Sequence, residues 1–245
     1  MFHFTIWTSG DRDALKLIQR IHRAVQSGEV PQAHISALVC NRIRGEDATF
    51  GCPSRIRKDE EADEFLDWCD EQGLPVISVS SRELRRALPE RWREELGARF
   101  RRLLSPYPAE VHLLVGYMLW VDDITASKLP LLNLHPALPG GPVGSWQEVI
   151  RAIQSQGASE HGVTMQLVKP GRENRDRGKP VTFLHFPVTP EMDFDEIREA
   201  GFRREPILLI ETLKALVQGE IRLGEGPPLD LTGAVEGRQR IKKRI

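Results

Sequence analysis

The residue types best suited to chemistry lie near the end of an apolar segment, Leu131–Pro139. An apolar run that gives way to prolines and glycines predicts a buried strand followed by a loop. Asn133 and His135 are two residues apart, so on a strand both side chains point to the same face. Pro136 restricts the backbone of His135 to extended conformations. An amide donor beside an imidazole is a candidate reaction centre, and the alternative is a polar strand end whose side chains only cap the loop.

A charged loop further along the chain could supply a carboxylate to this pair. The loop covers residues 169–179, and in it Asp176 is followed by Gly178 and Pro180. On composition alone this is a solvated surface loop. A carboxylate brought to an imidazole can orient that ring, as in catalytic triads.

A third candidate segment is Thr8–Asp13, which joins the first predicted strand to the first predicted helix. Backbone N–H groups at a helix N-terminus can hold a phosphate or a carboxylate. Arg12 favours an anion and Asp11 disfavours one. The alternative is an ordinary helix cap with Asp11 as the capping residue. A single glycine, Gly10, does not make a dinucleotide-binding fingerprint.

The elements that must position these residues alternate between strand and helix in the first half of the chain. This alternation predicts a doubly wound, mostly parallel sheet with right-handed crossovers. Ligands of such sheets bind beyond the carboxyl ends of the strands. The predicted strands are Phe4–Thr8, Ile35–Cys40, Pro75–Ser80, Val111–Met118 and Leu131–His135, and Ser81–Leu104 is a basic helical segment interrupted near Pro89.

The pattern changes in the second half, where antiparallel strands and helices extend the sheet. We predict an α/β domain over residues 1–190 and a C-terminal helical extension over 191–245 that packs on the same domain and ends in a polar tail. The elements predicted here are a helix at Ser145–Gln156, strands at Gly162–Val168 and Pro180–Val188, helices at Phe194–Ala200 and Glu205–Val217, and a short strand at Gly219–Leu223.

Composition excludes several classes of function. The 245 residues are 40% hydrophobic and carry a net charge of −1, which is typical of a globular protein. This balance gives no electrostatic case for nucleic acid or an anionic membrane, and no apolar run is long enough to cross a bilayer. The three cysteines have neither metal-ligand nor disulfide spacing. A reduced, cytoplasmic protein is the expectation.

Four motifs together resemble the folate-dependent formyltransferase superfamily, the fold of glycinamide ribonucleotide formyltransferase. Asn133–Pro139 resembles the Asn-x-His-Pro signature of that family, and Glu160–Thr164 resembles its Glu-His-Gly strand start. Asp176–Gly178 resembles its Asp-x-Gly motif, and Gly116–Met118 resembles the Gly-Phe-Met that lines the folate pocket. The order and spacing of the motifs agree over residues 1–190.

The resemblance implies that Asn133, His135 and Asp176 form a catalytic trio. An amine would attack the formyl carbon of 10-formyltetrahydrofolate. The amide and the protonated imidazole would stabilise the developing oxyanion, and the carboxylate would assist proton movement through a water.

The same resemblance implies the ligands and their contacts. The ligands would be the folate and a small amine, with glycinamide ribonucleotide of purine biosynthesis as the first candidate. The reaction would require no metal. The resemblance is compatible with either a monomer or a homodimer. The residues around the pterin would be Met118, Leu119, Trp120, Val121 and Val168, and those at the substrate would be Ser9, Gly10, Arg12 and Pro136.

Two departures from the family pattern keep other functions open. Ribonucleotide-binding members have a Gly-Ser-Asn run that grips the phosphate where this chain has Arg12–Ala14, and an arginine of the folate pocket is replaced by Leu119. The alternatives are an amino-sugar-nucleotide formyltransferase, a 10-formyltetrahydrofolate hydrolase and a non-catalytic ligand-binding relative.

Overall fold

The structure, a computed structural model, describes residues 1–46, 60–171 and 176–233. It divides the chain into two compact units: Met1–Gln26 with Gln32–Leu131, and Ser27–Pro31 with Leu132–Ile245. The domain boundary predicted at residue 190 falls inside the second unit and stays a prediction. Residues 47–59, residues 172–175 of the charged loop and the tail from residue 234 lie outside the described residues.

Four strands of the first unit form a parallel sheet in the order β3-β2-β1-β4. β1 and β2 are buried along most of their length, as expected of strands covered on both faces. The strands are β1 (Phe2–Thr8), β2 (Ala33–Cys40), β3 (Val76–Ser78) and β4 (Val111–Leu114), and the helices are α1 (Arg12–Gln26), α2 (Glu60–Glu71), α3 (Ser81–Ala87), α4 (Trp92–Leu104) and α5 (Asp123–Lys128).

The predicted interruption near Pro89 separates α3 from α4 and is confirmed. Gly97 lets α4 pack closely against the start of α5, because a Cβ on this residue would lie only 1.7 Å from Oδ2 of Asp122. That carboxylate caps α5 by accepting a hydrogen bond from the N–H of Thr125.

Two cysteine thiols lie in the core of the first unit. Cys40 at the end of β2 and Cys69 on α2 are both free and fully buried. Burial raises the pKa of Cys40 to about 11, and it also raises the pKa of Cys69. Both thiols are therefore held in the protonated, unreactive form near neutral pH.

The second unit combines antiparallel strands with two helices. β5 (Leu131–His135) pairs antiparallel with β6 (Glu160–Leu167), β6 pairs antiparallel with β7 (Lys179–Pro187), and β7 pairs parallel with β8 (Leu229–Asp230). The helices are α6 (Trp146–Ser155) and α7 (Phe194–Val217), and each begins with a capping box. The predicted fold class, an α/β fold whose mostly parallel sheet is extended by antiparallel strands and C-terminal helices, is confirmed.

The structure corrects two element predictions in this unit. Phe194–Val217 is one helix rather than two, although Pro206 interrupts its hydrogen bonding. Buried residues lie on both sides of the proline, with Ile197 and Gly201 before it and Leu208–Ile210 after it, and this tertiary packing outweighs the local cost. The segment Gly219–Leu223 is a turn after α7, and the last described strand is β8.

Among the described residues, no helix has both the length and the apolar character needed to cross a bilayer.

Candidate active site

The loop after β5 is fixed to the neighbouring strand. His135 is the last residue of β5, lies opposite Thr164 of β6 and is 4% exposed. The hydroxyl of Thr164 donates a hydrogen bond to the carbonyl oxygen of Ala137 at 2.6 Å, and both residues are buried. The chain immediately after His135 is therefore anchored to β6.

The same loop returns to orient the imidazole. Gly140, with φ +76°, allows a tight turn in which Gly141 N–H donates to the carbonyl oxygen of Leu138 at 2.9 Å. The loop then brings the carbonyl oxygen of Pro142 to 3.0 Å from Nε2 of His135. A carbonyl oxygen only accepts, so Nε2 carries a proton, and Nδ1 is the nitrogen left for chemistry.

Asp176 faces that second nitrogen. Its Oδ1 lies 4.0 Å from Nδ1 of His135, and the two side chains are 19% and 6% exposed. This separation is too long for a direct hydrogen bond but short enough for strong attraction to an imidazolium. Asp176 has φ +54°, a conformation uncommon for residues other than glycine and often found at functional sites.

Gly178 fixes the position of this carboxylate. A Cβ on Gly178 would lie 2.3 Å from the carbonyl oxygen of Leu167, the last residue of β6. Only glycine lets the loop pass so close to β6 before Lys179 begins β7. The spacing of Asp176 and Gly178 thus has a steric cause. Gly178 allows the backbone to pass close to β6, and this places the carboxylate of Asp176, two residues earlier, near His135.

Asn133 completes the group predicted from the sequence. It lies on the same face of β5 as His135, opposite Gln166 of β6, and its side chain is partly exposed. Within the described ranges no side-chain or backbone group hydrogen-bonds its amide, which leaves the amide N–H groups able to donate to a ligand. The structure therefore brings the three predicted catalytic residues into one part of the second unit.

A second histidine borders this group. His161 on β6 is 2% exposed and packs edge-on against Phe186 with the ring centroids 5.3 Å apart. Burial, together with a smaller effect of the nearby charge of His135, lowers the pKa of His161 to about 4. His161 is therefore neutral near pH 7 and places no competing positive charge beside the trio.

The structure joins two other predicted residues, Ser9 and Met118, in the first unit. The buried hydroxyl of Ser9 donates to Oδ1 of Asn41 at 2.7 Å and accepts from the N–H of Met118 at 3.0 Å. The Met118 side chain is 62% exposed. Ser9 thus holds the segment that was predicted to contact the pterin.

The loop after β1 also forms a helix cap. Asp11 accepts a hydrogen bond from the N–H of Ala14 at 2.9 Å, as in the alternative interpretation of this loop. Arg12 is exposed and forms an ion pair with Glu64 at 3.1 Å, which raises the pKa of its guanidinium. Gly10 has φ +77°, and its N–H donates to the hydroxyl of Thr8.

The substrate and folate roles of the remaining predicted residues stay predictions. Their exposure in the structure varies: Val121 is buried, and Leu119, Trp120, Pro136 and Val168 are partly exposed. Across the described residues, no group of three or more histidines, cysteines and carboxylates is arranged to hold a metal ion.

Comparison with known proteins identifies the family to which the chain belongs. A family model described as "Formyl transferase" matches residues 13–213. The chain therefore belongs to the formyl transferase family, and the resemblance seen in the sequence motifs is confirmed. No curated protein matches the sequence.

Solved structures share the fold at low sequence identity. A glycinamide ribonucleotide transformylase from Symbiobacterium toebii is 20% identical with a TM-score of 0.70, covering 93% of this chain and 92% of its own. A phosphoribosylglycinamide formyltransferase from Coxiella burnetii is 18% identical with a TM-score of 0.68, and the coverage is 89% and 88%. A formyltetrahydrofolate deformylase from Burkholderia mallei is 17% identical with a TM-score of 0.67, covering 91% of this chain and 68% of its own.

Sequence reasoning missed two groups that support the trio. The carbonyl of Pro142 selects the tautomer of His135, and Thr164 anchors the loop that carries this carbonyl. The glycine- and proline-rich run after residue 138 signals a tight turn, but the partner of a backbone carbonyl depends on the path of the loop in three dimensions.

Proposed function

We propose that this protein transfers a formyl group from 10-formyltetrahydrofolate to the amine of a small acceptor. The observation that carries the proposal is the arrangement of His135, with Nε2 held by the carbonyl of Pro142 and Nδ1 facing Asp176 across 4.0 Å. Membership of the formyl transferase family supports the class of reaction.

In the proposed reaction, the amine nitrogen attacks the formyl carbon and the carbonyl oxygen gains negative charge. An Nδ1–H of His135 and the side-chain amide of Asn133 donate to this oxygen, and groups of this kind, already oriented before reaction, stabilise such an oxyanion strongly. Asp176 stabilises the imidazolium and accepts the amine proton through a water.

Collapse of the intermediate completes the transfer. The bond between the formyl carbon and N10 of the folate breaks, and N10 takes up a proton. The acceptor has then lost one proton and gained the formyl group, and tetrahydrofolate is released. Since no step changes an oxidation state, the reaction as written requires no redox partner.

Glycinamide ribonucleotide is the first candidate acceptor, because two of the structural relatives bear the name of enzymes that formylate it. Arg12, the first residue of α1, is the one cation of the segment Thr8–Asp13, and Glu64 already pairs with it. A related amine is therefore the second candidate acceptor.

Transfer of the formyl group to water is the second candidate function. It is favoured by the structural relative named as a formyltetrahydrofolate deformylase, which shares this fold. The same trio could stabilise the oxyanion that forms when water, in place of an amine, attacks the formyl carbon.

The experiment measures tetrahydrofolate released from 10-formyltetrahydrofolate with glycinamide ribonucleotide, with other amines and with no acceptor. His135→Ala tests the site, and His185→Ala is the matched control, because His185 is a partly exposed histidine of the same unit that also faces carboxylates. We expect the release of tetrahydrofolate to depend on the acceptor. His135→Ala should lower the rate of release at least 100-fold, and His185→Ala should leave it unchanged.

Each other outcome has a definite meaning. Release without any amine would identify the hydrolase. No release under any condition from a folded protein would contradict the proposal and favour a non-catalytic relative, and retention of activity by His135→Ala would contradict the mechanism.

A further inference from the structure

Asn41 lies at the strand ends of the first unit, where the predicted ligand contacts of that unit also lie. It directly follows β2, and its side chain is 4% exposed. Ligands of open α/β sheets bind beyond the carboxyl ends of the strands. The predicted substrate and folate contacts do not include this buried amide, so its hydrogen bonds are the guide to its role.

The amide of Asn41 joins two serine hydroxyls. The hydroxyl of Ser9 donates to Oδ1 of Asn41 at 2.7 Å, and Nδ2 of Asn41 donates to the hydroxyl of Ser81 at 3.1 Å. Ser81, the first residue of α3, also donates its backbone N–H to the carbonyl oxygen of Asn41 at 3.0 Å. Asn41 is therefore fixed to the start of α3, and its side-chain oxygen is directed at Ser9.

Ser9 in turn holds the segment that follows β4. Its backbone N–H donates to the carbonyl oxygen of Gly116 at 3.0 Å, and its hydroxyl accepts from the N–H of Met118 at 3.0 Å. A serine hydroxyl has a single proton. Because Asn41 accepts this proton, the lone pairs of the hydroxyl are left to face the N–H of Met118. The amide of Asn41 thus directs the hydrogen bond that fixes the backbone of Met118.

The segment held in this way is closely packed at its start. Gly116 has φ +63°, and a Cβ on it would lie 2.5 Å from Cβ of Ala14. Tyr117 packs edge-on against the buried ring of Trp7, with the ring centroids 5.7 Å apart. The side chain of Met118, in contrast, is 62% exposed. The hydrogen bond from the N–H of Met118 therefore lies where the segment changes from packed to exposed.

We propose that Asn41 is a positioning residue for the folate: through the hydroxyl of Ser9 it fixes the backbone of Met118, and with it the segment Met118–Val121 that was predicted to surround the pterin. The inference rests on the proposed function, because it assumes a folate donor. Without the amide, the hydroxyl proton of Ser9 can turn to another acceptor, and the hydrogen bond from Met118 loses its fixed direction. The folate should then bind less tightly, while the trio in the second unit keeps its own hydrogen bonds.

Steady-state kinetics of Asn41→Ala separates binding from chemistry. We expect the KM for 10-formyltetrahydrofolate to rise about five- to tenfold, the size of one buried hydrogen bond. The kcat and the KM for the acceptor should stay within about twofold. Asn41→Asp keeps an oxygen for Ser9 and should bring the KM back toward that of the unaltered protein. Thr212→Val is the matched control, because it removes a buried hydrogen bond to Thr182 in the second unit and should leave the KM for the folate unchanged.

Amide hydrogen exchange tests the same connection without turnover. In Asn41→Ala, the N–H of Met118 should exchange at least about tenfold faster than in the unaltered protein. The N–H of Val115 donates to the carbonyl oxygen of Trp7 at 2.9 Å, and its exchange should change by less than about twofold. Ser9→Ala should accelerate exchange at Met118 as well. The double variant should exchange no faster there than Ser9→Ala alone, because both substitutions break one connection.

The outcomes distinguish this inference from the proposed function. Equal acceleration at both amides, or an unchanged KM for the folate, would overturn the inference, assign Asn41 a purely structural role and leave the proposed function standing. A rise only in the KM for the acceptor would overturn it as well. Absence of turnover by the unaltered protein would contradict the proposed function, and hydrogen exchange would still show whether Asn41 fixes Met118. If Asn41→Ala fails to fold, Asn41→Leu removes the same hydrogen bonds while keeping a branched side chain, and the same results are expected.

Discussion

Asp176→Asn isolates the electrostatic contribution of the carboxylate to the trio. The substitution removes one negative charge 4.0 Å from Nδ1 of His135 and keeps nearly the same side-chain shape. Asparagine is as tolerant of the φ of +54° as aspartate is, so the loop conformation should persist.

The distance determines the expected magnitude. Two unit charges 4 Å apart attract by about 1 kcal/mol in water and about 4 kcal/mol at an effective dielectric constant of about 20. With side chains 6% and 19% exposed, the pair lies between these limits. Loss of that stabilisation in the transition state should lower kcat by a factor between about 5 and about 1,000, since each 1.36 kcal/mol corresponds to roughly tenfold.

Glu160→Gln is the matched control. Glu160 lies 3.8 Å from Nδ1 of His185, but its side chain is 59% exposed, and exposed pairs contribute little. Single-turnover formation of tetrahydrofolate should be slowed by Asp176→Asn and unchanged within about twofold by Glu160→Gln. Equal rates for Asp176→Asn and the unaltered protein, or equal losses in both variants, would refute the role assigned to Asp176.

Three other predictions concern backbone and protonation. Gly178→Ala should lower the free energy of unfolding by about 1–3 kcal/mol and also lower kcat, because its Cβ would lie 2.3 Å from a backbone carbonyl oxygen; urea unfolding at unchanged midpoint would contradict the steric argument. Gly201→Ala, inside α7 with open space around the new Cβ, should raise that free energy by about 0.5–1 kcal/mol in the same assay, and a loss would be the contrary result. Burial lowers the pKa of both His112 and His161 from 6.5 to about 4, so between these pH values the unfolded chain binds protons that the folded chain does not. The free energy of unfolding should therefore fall as the pH is lowered from 6.5 to 4. A constant or rising value would show that neither imidazole is buried in its neutral form.

Local signals were sufficient to predict the fold class and the face shared by Asn133 and His135. The alternation of apolar strands and helices depends on short-range periodicity, which the sequence displays directly. Asn133 and His135 share a face of β5 because side chains alternate along any strand, so residues two apart point the same way. The family motifs then singled out Asp176, which composition alone would have left in a solvated loop.

Other features depend on contacts between distant parts of the chain. β8 has only two residues and exists because it pairs with β7, so its own sequence carries little strand signal. α7 continues through Pro206 because both of its halves are buried. The hydrogen bond from His135 to Pro142 depends on the course of an entire loop. Such features follow from tertiary packing, which short-range patterns do not encode.

The two buried thiols of the first unit provide a built-in reporter of its opening. Cys40 and Cys69 should resist alkylation while the core around α2 is closed, and each should react once that core opens. The third cysteine of the chain, Cys52, would be replaced (Cys52→Ser) so that it cannot be labelled. The dependence of each thiol's labelling rate on urea concentration would then separate local fluctuation from global unfolding, because global unfolding exposes more surface. A folate that binds this unit would then slow the labelling, which offers a way to detect ligands without any catalytic turnover.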